Sequence, residues 1–228
     1  MPAPTYIFFD VNETLTDFSP VFAAATNALG GGDAQGRRWF NTMIEYSLAE
    51  TLSAMHNSFI DIGAATLSMV AAEDGNVIAL EDARSLLSEA IGKVTLWDDV
   101  SPGLTKLANE GFKLATLTNS SEAGQKERLD ALGIADYLDE MIGVESSGAY
   151  KPDKRTFNYA LSRMHANAEQ SLMVACHPWD LIGARAIGMR IAFVERPGTA
   201  WYPLAEVADY HVQGIDELAD VLADEAKA

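Results

Sequence analysis

Six short apolar runs, set apart by longer segments with helical spacing, constrain the fold of this chain more than any other feature. The runs are residues 6–9, 113–118, 141–144, 171–176, 190–194 and 209–212, each the length of a buried strand. Between the later ones lie residues 101–110, 121–132, 154–165 and 181–188, all with helical periodicity. Gly111, Gly133 and Gly188 close helical patterns, where the residue past the helix end often takes a positive φ. Strands alternating with helices read as βαβ units, hence as a parallel sheet covered on both faces. The rhythm breaks once. Residues 16–97 are helical in pattern, with turn signals at Gly30-Gly31-Gly32-Asp33 and Asp74-Gly75-Asn76. The simplest account is an α/β core, residues 1–15 and 98–228, interrupted by a helical cap over 16–97. The acidic tail, residues 219–228, reads as a frayed helix end.

Composition narrows the class of partner. The 228 residues suffice for a sizeable core, and 48% apolar with 21% charged side chains excludes wholesale disorder. A formal charge of −17, with no basic run to offset it, repels phosphate backbones and anionic lipid heads. Nucleic acid and membrane are therefore not expected as partners. An anionic substrate would need local positive groups to overcome the global field. The single cysteine, Cys176, cannot form an intrachain disulfide and fits a reducing compartment. The start MPAPTYIFFD has no basic residue before a four-residue apolar run, unlike a secretory signal. The longest mostly apolar stretch, residues 59–72, holds Asp61 and falls short of the roughly 20 residues that span a bilayer. A cytoplasmic location is expected.

Open parallel sheets place their chemistry at the carboxyl ends of the strands. There the chain offers Asp10 followed by Val11, Asn12, Glu13 and Thr14, then Thr118-Asn119-Ser120, Lys151-Pro152-Asp153 and finally Cys176-His177-Pro178-Trp179-Asp180. A carboxylate closing an apolar strand can act as a nucleophile, splitting one displacement into two easier steps through an ester. Lys151 can keep Asp10 ionised, and Asp180 can hold Lys151. Thr118, Asn119 and Ser120 precede a helical pattern and can turn hydroxyl, amide and backbone N–H groups to an anion. The blander reading of Asp10 is a turn cap after a strand.

The segments FFDVNETLTD (8–17), LTNSS (117–121), YKPD (150–153) and WDLIGAR (179–185), in this order, resemble the haloacid dehalogenase superfamily, within it the L-2-haloacid dehalogenase branch. The resemblance implies a Rossmann-like parallel sheet with an inserted helical cap, a homodimer, and no metal or organic cofactor. It implies Asp10 as nucleophile, assisted by Thr14, Thr118, Lys151 and Asp180. Backbone amides near Val11 and Asn12 would hold carboxylates, with Asn119 and Trp179 cradling the halide.

Departures from the family pattern matter as much. Superfamily phosphatases carry a second Asp two residues after the nucleophile, where this chain has Asn12, and a further acid near His177-Pro178. Too few carboxylates remain for a hard cation. A Mg²⁺-dependent phosphatase is thus the less favoured alternative; a non-catalytic binding protein is another. Phe40 stands where the family's cap arginine is expected, unless the register is shifted and Arg37 or Arg38 takes that role. The family's Asn, Ser and Tyr are replaced by His177, Ala175 and Phe157. Water activation is therefore reassigned to His177 with Glu13 as its carboxylate partner. Blander readings remain for each: Glu13 as a first-turn helix acid, His177 as a structural histidine, Phe40 and Trp179 as packing. The expected activity is hydrolytic dehalogenation of short L-2-haloalkanoic acids to D-2-hydroxy acids.

Overall fold

The computed structural model describes residues 3–32 and 34–227. Met1, Pro2, Asp33 of the glycine turn and Ala228 of the acidic tail lie outside the described residues. The chain runs through β1 (Tyr6–Phe9), β2 (Thr16–Asp17), α1 (Ser19–Ala28), α2 (Ala34–Ser53), α3 (Phe59–Glu73), α4 (Leu80–Ile91) and β3 (Thr95–Leu96). It continues with α5 (Val100–Asn109), β4 (Lys113–Thr118), α6 (Glu122–Ala131), β5 (Glu140–Gly143), α7 (Lys154–Arg163) and β6 (Ser171–Ala175). The last elements are α8 (Pro178–Ala186), β7 (Arg190–Val194), β8 (Tyr210–Val212) and α9 (Ile215–Ala226).

Six strands form one sheet in the order β5-β4-β1-β6-β7-β8, and every neighbouring pair is parallel. The alternation of a strand explains how it is covered. Phe8, Ala115, Leu117, Met173 and Ala175 point into one layer, with Phe157 and Leu161 of α7 and Leu181 of α8. Ile7, Phe9, Leu114, Leu172 and Val174 point into the other, with Leu104 and Leu107 of α5 and Leu218 and Leu222 of α9. A Rossmann-like α/β core results, as the sequence led us to expect.

Helices α1–α4 leave this core between β2 and β3, which pair antiparallel with Thr16 opposite Leu96. The outgoing and returning chain are therefore clasped side by side. Val21, Trp39, Met43, Leu67 and Leu87 bury the inner faces of these helices against one another.

The acidic tail departs from expectation. Ala219, Leu222 and Ala223 are buried on α9, which packs along α5, so residues to Ala226 form an ordered helix rather than a frayed end. The apolar spacing Ile215, Leu218, Ala219 and Leu222 supplies the buried stripe, and the acids occupy the opposite face. Strand β6 stops one residue short of Cys176 because the Cys176 N–H leaves the ladder and donates to the Thr14 hydroxyl at 3.0 Å. Gly111, Gly133 and Gly188 do take positive φ, at 86°, 74° and 89°.

One close approach ties α8 to the Lys151 turn. A Cβ on Gly183 would lie 2.6 Å from both the Pro152 carbonyl oxygen and Phe157. Gly183→Ala is expected to cost about 1–3 kcal/mol through overpacking. A urea titration showing wild-type stability would contradict this contact.

Candidate active site

The carboxyl ends of β1, β4 and β6 converge on Asp10. Its Oδ1 accepts from the Lys151 ammonium at 2.7 Å and its Oδ2 from the Thr14 hydroxyl at 2.7 Å. Lys151 is fully buried, and its Nζ also donates to the Leu117 carbonyl at 2.9 Å and to Asp180 Oδ2 at 3.0 Å. All three ammonium protons thus have an acceptor, which a buried charge requires. Burial would raise the Asp10 pKa, but Lys151 and His177 overcome it and hold the carboxyl well below the usual carboxylate range. For Lys151, burial opposes the charge while Asp10 and Asp180 raise the pKa. Asp10 is therefore an anion in a nearly dry pocket. Burial, helped by the Asp10 charge, pushes Asp180 up to about 7 against the pull of Lys151.

The turn after β4 holds Lys151 from the other side. The Lys151 backbone N–H donates to Asn119 Oδ1 at 3.0 Å, and the buried Asn119 Nδ2 has no partner among the described residues. The Thr118 hydroxyl accepts from the Ser120 N–H at 3.2 Å. Asn12 donates to the Ser120 hydroxyl at 3.1 Å, while its Oδ1 accepts from Arg128 at 3.0 Å. Val11 is fully buried and its carbonyl closes the turn to Leu15 and Thr16.

Glu13 and His177 meet. His177 Nε2 lies 2.8 Å from Glu13 Oε2, and its Nδ1 lies 3.7 Å from Asp10 Oδ2. Glu13 is not a first-turn helix acid: it sits in the left-handed region at φ 65°, an uncommon setting for a residue with a Cβ. Its carbonyl accepts from the Trp97 indole N–H at 2.9 Å, and Arg37 grips its carboxylate with bonds of 3.1 and 2.8 Å. Burial would raise the Glu13 pKa, but His177 and Arg37 lower it. Burial likewise opposes a charged His177, yet the Cys176 sulfur, Asp10 and Glu13 lift its pKa well above the ordinary value.

His177 is stacked between two rings, Phe40 at 5.9 Å and Trp179 at 5.1 Å. Phe40 also packs edge-on against Phe18, Phe22 and Trp39, so it is a core residue with one face on the imidazole. Neither neighbouring arginine occupies the Phe40 position. Arg37 turns to Glu13, and Arg38 turns away to Glu73 and Asp74 at 2.5 and 2.8 Å.

One group of potential metal ligands, Asp10, His177 and Asp180, has atoms within 4.8 Å of one another. It does not suit a hard divalent cation. Lys151 bonds both carboxylates, Thr14 takes the other Asp10 oxygen, and the Asn12 side-chain oxygen is engaged by Arg128.

A sequence profile of haloacid dehalogenase-like hydrolases matches residues 5–188, and the chain belongs to that family. Relatives sharpen the likeness. An (S)-2-haloacid dehalogenase H-109 of Pseudomonas putida is 26% identical over 219 residues, covering 96% of this chain and 97% of the relative. Haloacetate dehalogenase H-2 of Moraxella sp. (strain B) is 26% identical over 221 residues, with 95% and 97% covered. In three dimensions, the L-2-haloacid dehalogenase of Xanthobacter autotrophicus superposes with a TM-score of 0.87 at 20% identity, covering 96% of this chain and 98% of that one. A second structure of that enzyme holds chloropropionic acid covalently bound.

Three polar groups near the site escaped the sequence reading. Arg37 was visible only as a substitute for Phe40, not as the clamp on Glu13. Arg196 donates twice to the Thr14 carbonyl, at 3.0 and 2.9 Å, from a loop far along the chain. Arg128 had a readable signal: it lies three residues past buried Gln125 and four before Leu132, on the inward stripe of α6.

Proposed function

We propose that the protein hydrolyses the carbon–halogen bond of an L-2-haloalkanoic acid through an ester on Asp10. The observation that carries this reading is the pairing at Asp10 of a buried ammonium with an imidazole at 3.7 Å. An Asp10 oxygen attacks C2 and the C–halogen electron pair leaves as halide, giving an ester with inversion at C2. Water then attacks the Asp10 carboxyl carbon. His177 Nδ1 takes the water proton, and Glu13 orients the ring through Nε2. The ester C–O bond breaks to release the D-2-hydroxy acid and regenerate the Asp10 carboxylate. Lys151, held by Asp180, keeps Asp10 ionised before attack. Thr14 orients the carboxylate; Thr118, Asn119 and the amides after Val11 and Asn12 face the substrate. Phe40 and Trp179 frame the site, and helices α1–α4 serve as its cap. The buried free thiol of Cys176 supports a reducing, cytoplasmic setting, and the family likeness supports a homodimer. No helix among the described residues is long and apolar enough to cross a membrane.

The test is halide release from racemic 2-bromopropionate without added metal, with chiral analysis of the product. D-lactate together with bromide is the expected result. Metal-dependent hydrolysis of p-nitrophenyl phosphate, with no bromide released, would move the protein to the phosphatases. Aromatic edges in place of a cap guanidinium offer the departing ion less charge. Bromide and iodide are therefore expected to leave much faster than chloride, and fluoride scarcely at all; ready turnover of fluoroacetate would contradict that.

A further inference from the structure

Beside the Asp10 site lies a cavity of about 500 Å³, bounded by α1–α4 on one side and α6 on the other. Val21, Trp39, Phe59, Leu87 and Ile91 make its walls apolar, and Asn12, Ser120 and Arg128 form its polar end, with the exposed Glu127 also in the lining. Asn12 and Ser120 stand two residues beyond Asp10 and Thr118, so this end adjoins the two turns that carry those residues. The volume falls in the range of roughly 300–1,000 Å³ that takes drug-sized ligands, far more than a two- or three-carbon acid fills.

Arg128 gives the chamber a direction. Every other described arginine pairs with a carboxylate: Arg37, Arg38, Arg84, Arg155, Arg163, Arg185, Arg190 and Arg196 all do so. Arg128 has no ion pair among the described residues, although the chain carries 33 acidic side chains. Among the described residues its guanidinium donates to Asn12, and its buried Nε has no partner. Arg128 is half-buried, and a guanidinium without a carboxylate partner at the end of an apolar cavity is an arrangement that an incoming carboxylate completes. Asn12, which it holds at 3.0 Å, stands two residues after Asp10.

We propose that the preferred substrate is a 2-halo acid with a medium-length alkyl chain, its carboxylate received by Arg128 and its chain lying in the apolar chamber. This deepens, and rests on, the dehalogenase reading above. Arg128 would then be the local positive group that admits an anion to a protein of net charge −17.

Two measurements test it. In the first, kcat/KM is compared for 2-bromopropionate, 2-bromohexanoate and 2-bromooctanoate. An increase of about tenfold or more along the series is expected from burying added methylenes. Ser88→Trp, at the chamber rim, should reduce the octanoate value far more than the propionate value. Equal or falling kcat/KM with chain length overturns the chamber. Arg128→Met should raise KM about 10²-fold while leaving the bromide-to-chloride rate ratio intact, with Arg128→Lys partly restoring KM. A changed halide ratio at unchanged KM would instead make Arg128 a halide contact and overturn the carboxylate assignment. The second is calorimetric binding of unreactive sodium octanoate against sodium propionate to the wild-type protein. Tighter octanoate binding that is lost in Arg128→Met upholds the chamber even if no halide is ever released, whereas absence of octanoate binding overturns it. Loss of dehalogenation and loss of the chamber are thereby separated.

Discussion

Asp10→Asn is expected to lower halide release by roughly 10⁴-fold or more, the scale on which removal of a covalent nucleophile acts. The amide is a poor nucleophile and cannot form the ester. The fold should survive, because Lys151 keeps Asp180 and the Leu117 carbonyl as acceptors. The decisive readout is isotopic. After a single turnover of wild-type enzyme in ¹⁸O-water, mass analysis of the Asp10 peptide should find the label in its carboxylate. Label confined to the hydroxy acid would mean that water attacks C2 directly, and the ester mechanism would be abandoned.

His177→Gln is expected to leave ester formation largely intact and to slow its hydrolysis by about 10²–10⁴-fold, the usual contribution of a positioned base. The protein should then accumulate with the mass of one carboxyalkyl substituent, and a burst of halide should precede a slow steady state. Glu13→Gln should show a weaker form of the same behaviour. The pH dependence has a defined sign. In the free protein Asp10, Glu13 and the Cys176 sulfur hold His177 as imidazolium well above its ordinary range; Arg37 faces it only through Glu13. Alkylation removes the Asp10 charge, so the His177 pKa falls at the step where a base is needed. The enzyme ester should therefore hydrolyse faster as pH rises through that lowered value. Alkylation needs only ionised Asp10, whose depressed pKa keeps kcat/KM flat through mildly acidic pH. Because His177 is raised in the folded state, its contribution to stability is full below the unfolded value near 6.5 and lost as pH rises through the folded one. Wild-type rates in His177→Gln, with no trapped ester, would return this residue to a structural role.

Much of this site is readable along the chain because most of its parts lie at the end of an apolar run. Asp10, Thr118 and His177 sit where strand periodicity stops, Lys151 comes in the loop after β5, and parallel order then brings them together. The Glu13–His177 contact was accessible for the same reason, since β1 and β6 are neighbours. What the sequence conceals is the direction of side chains on long helices. Arg37 and Arg38 are adjacent, yet one turns in to Glu13 and the other out to Asp74, a choice made by how α2 lies on the core. Phe40 illustrates a false opposition: packing and site residue are one role when a core ring also stacks on the imidazole. The α9 stripe was hidden by its acids, which dominate the composition while the apolar spacing decides the burial.

The Lys151 ammonium also sets how the protein relates to its surroundings. A counter-ion carried on the chain cannot be dialysed away, exchanged for a competing ion or lost to a chelator. The Asp10 carboxylate thus has its counter-charge from the moment the end of β1 meets the loop before α7, supplied by folding alone.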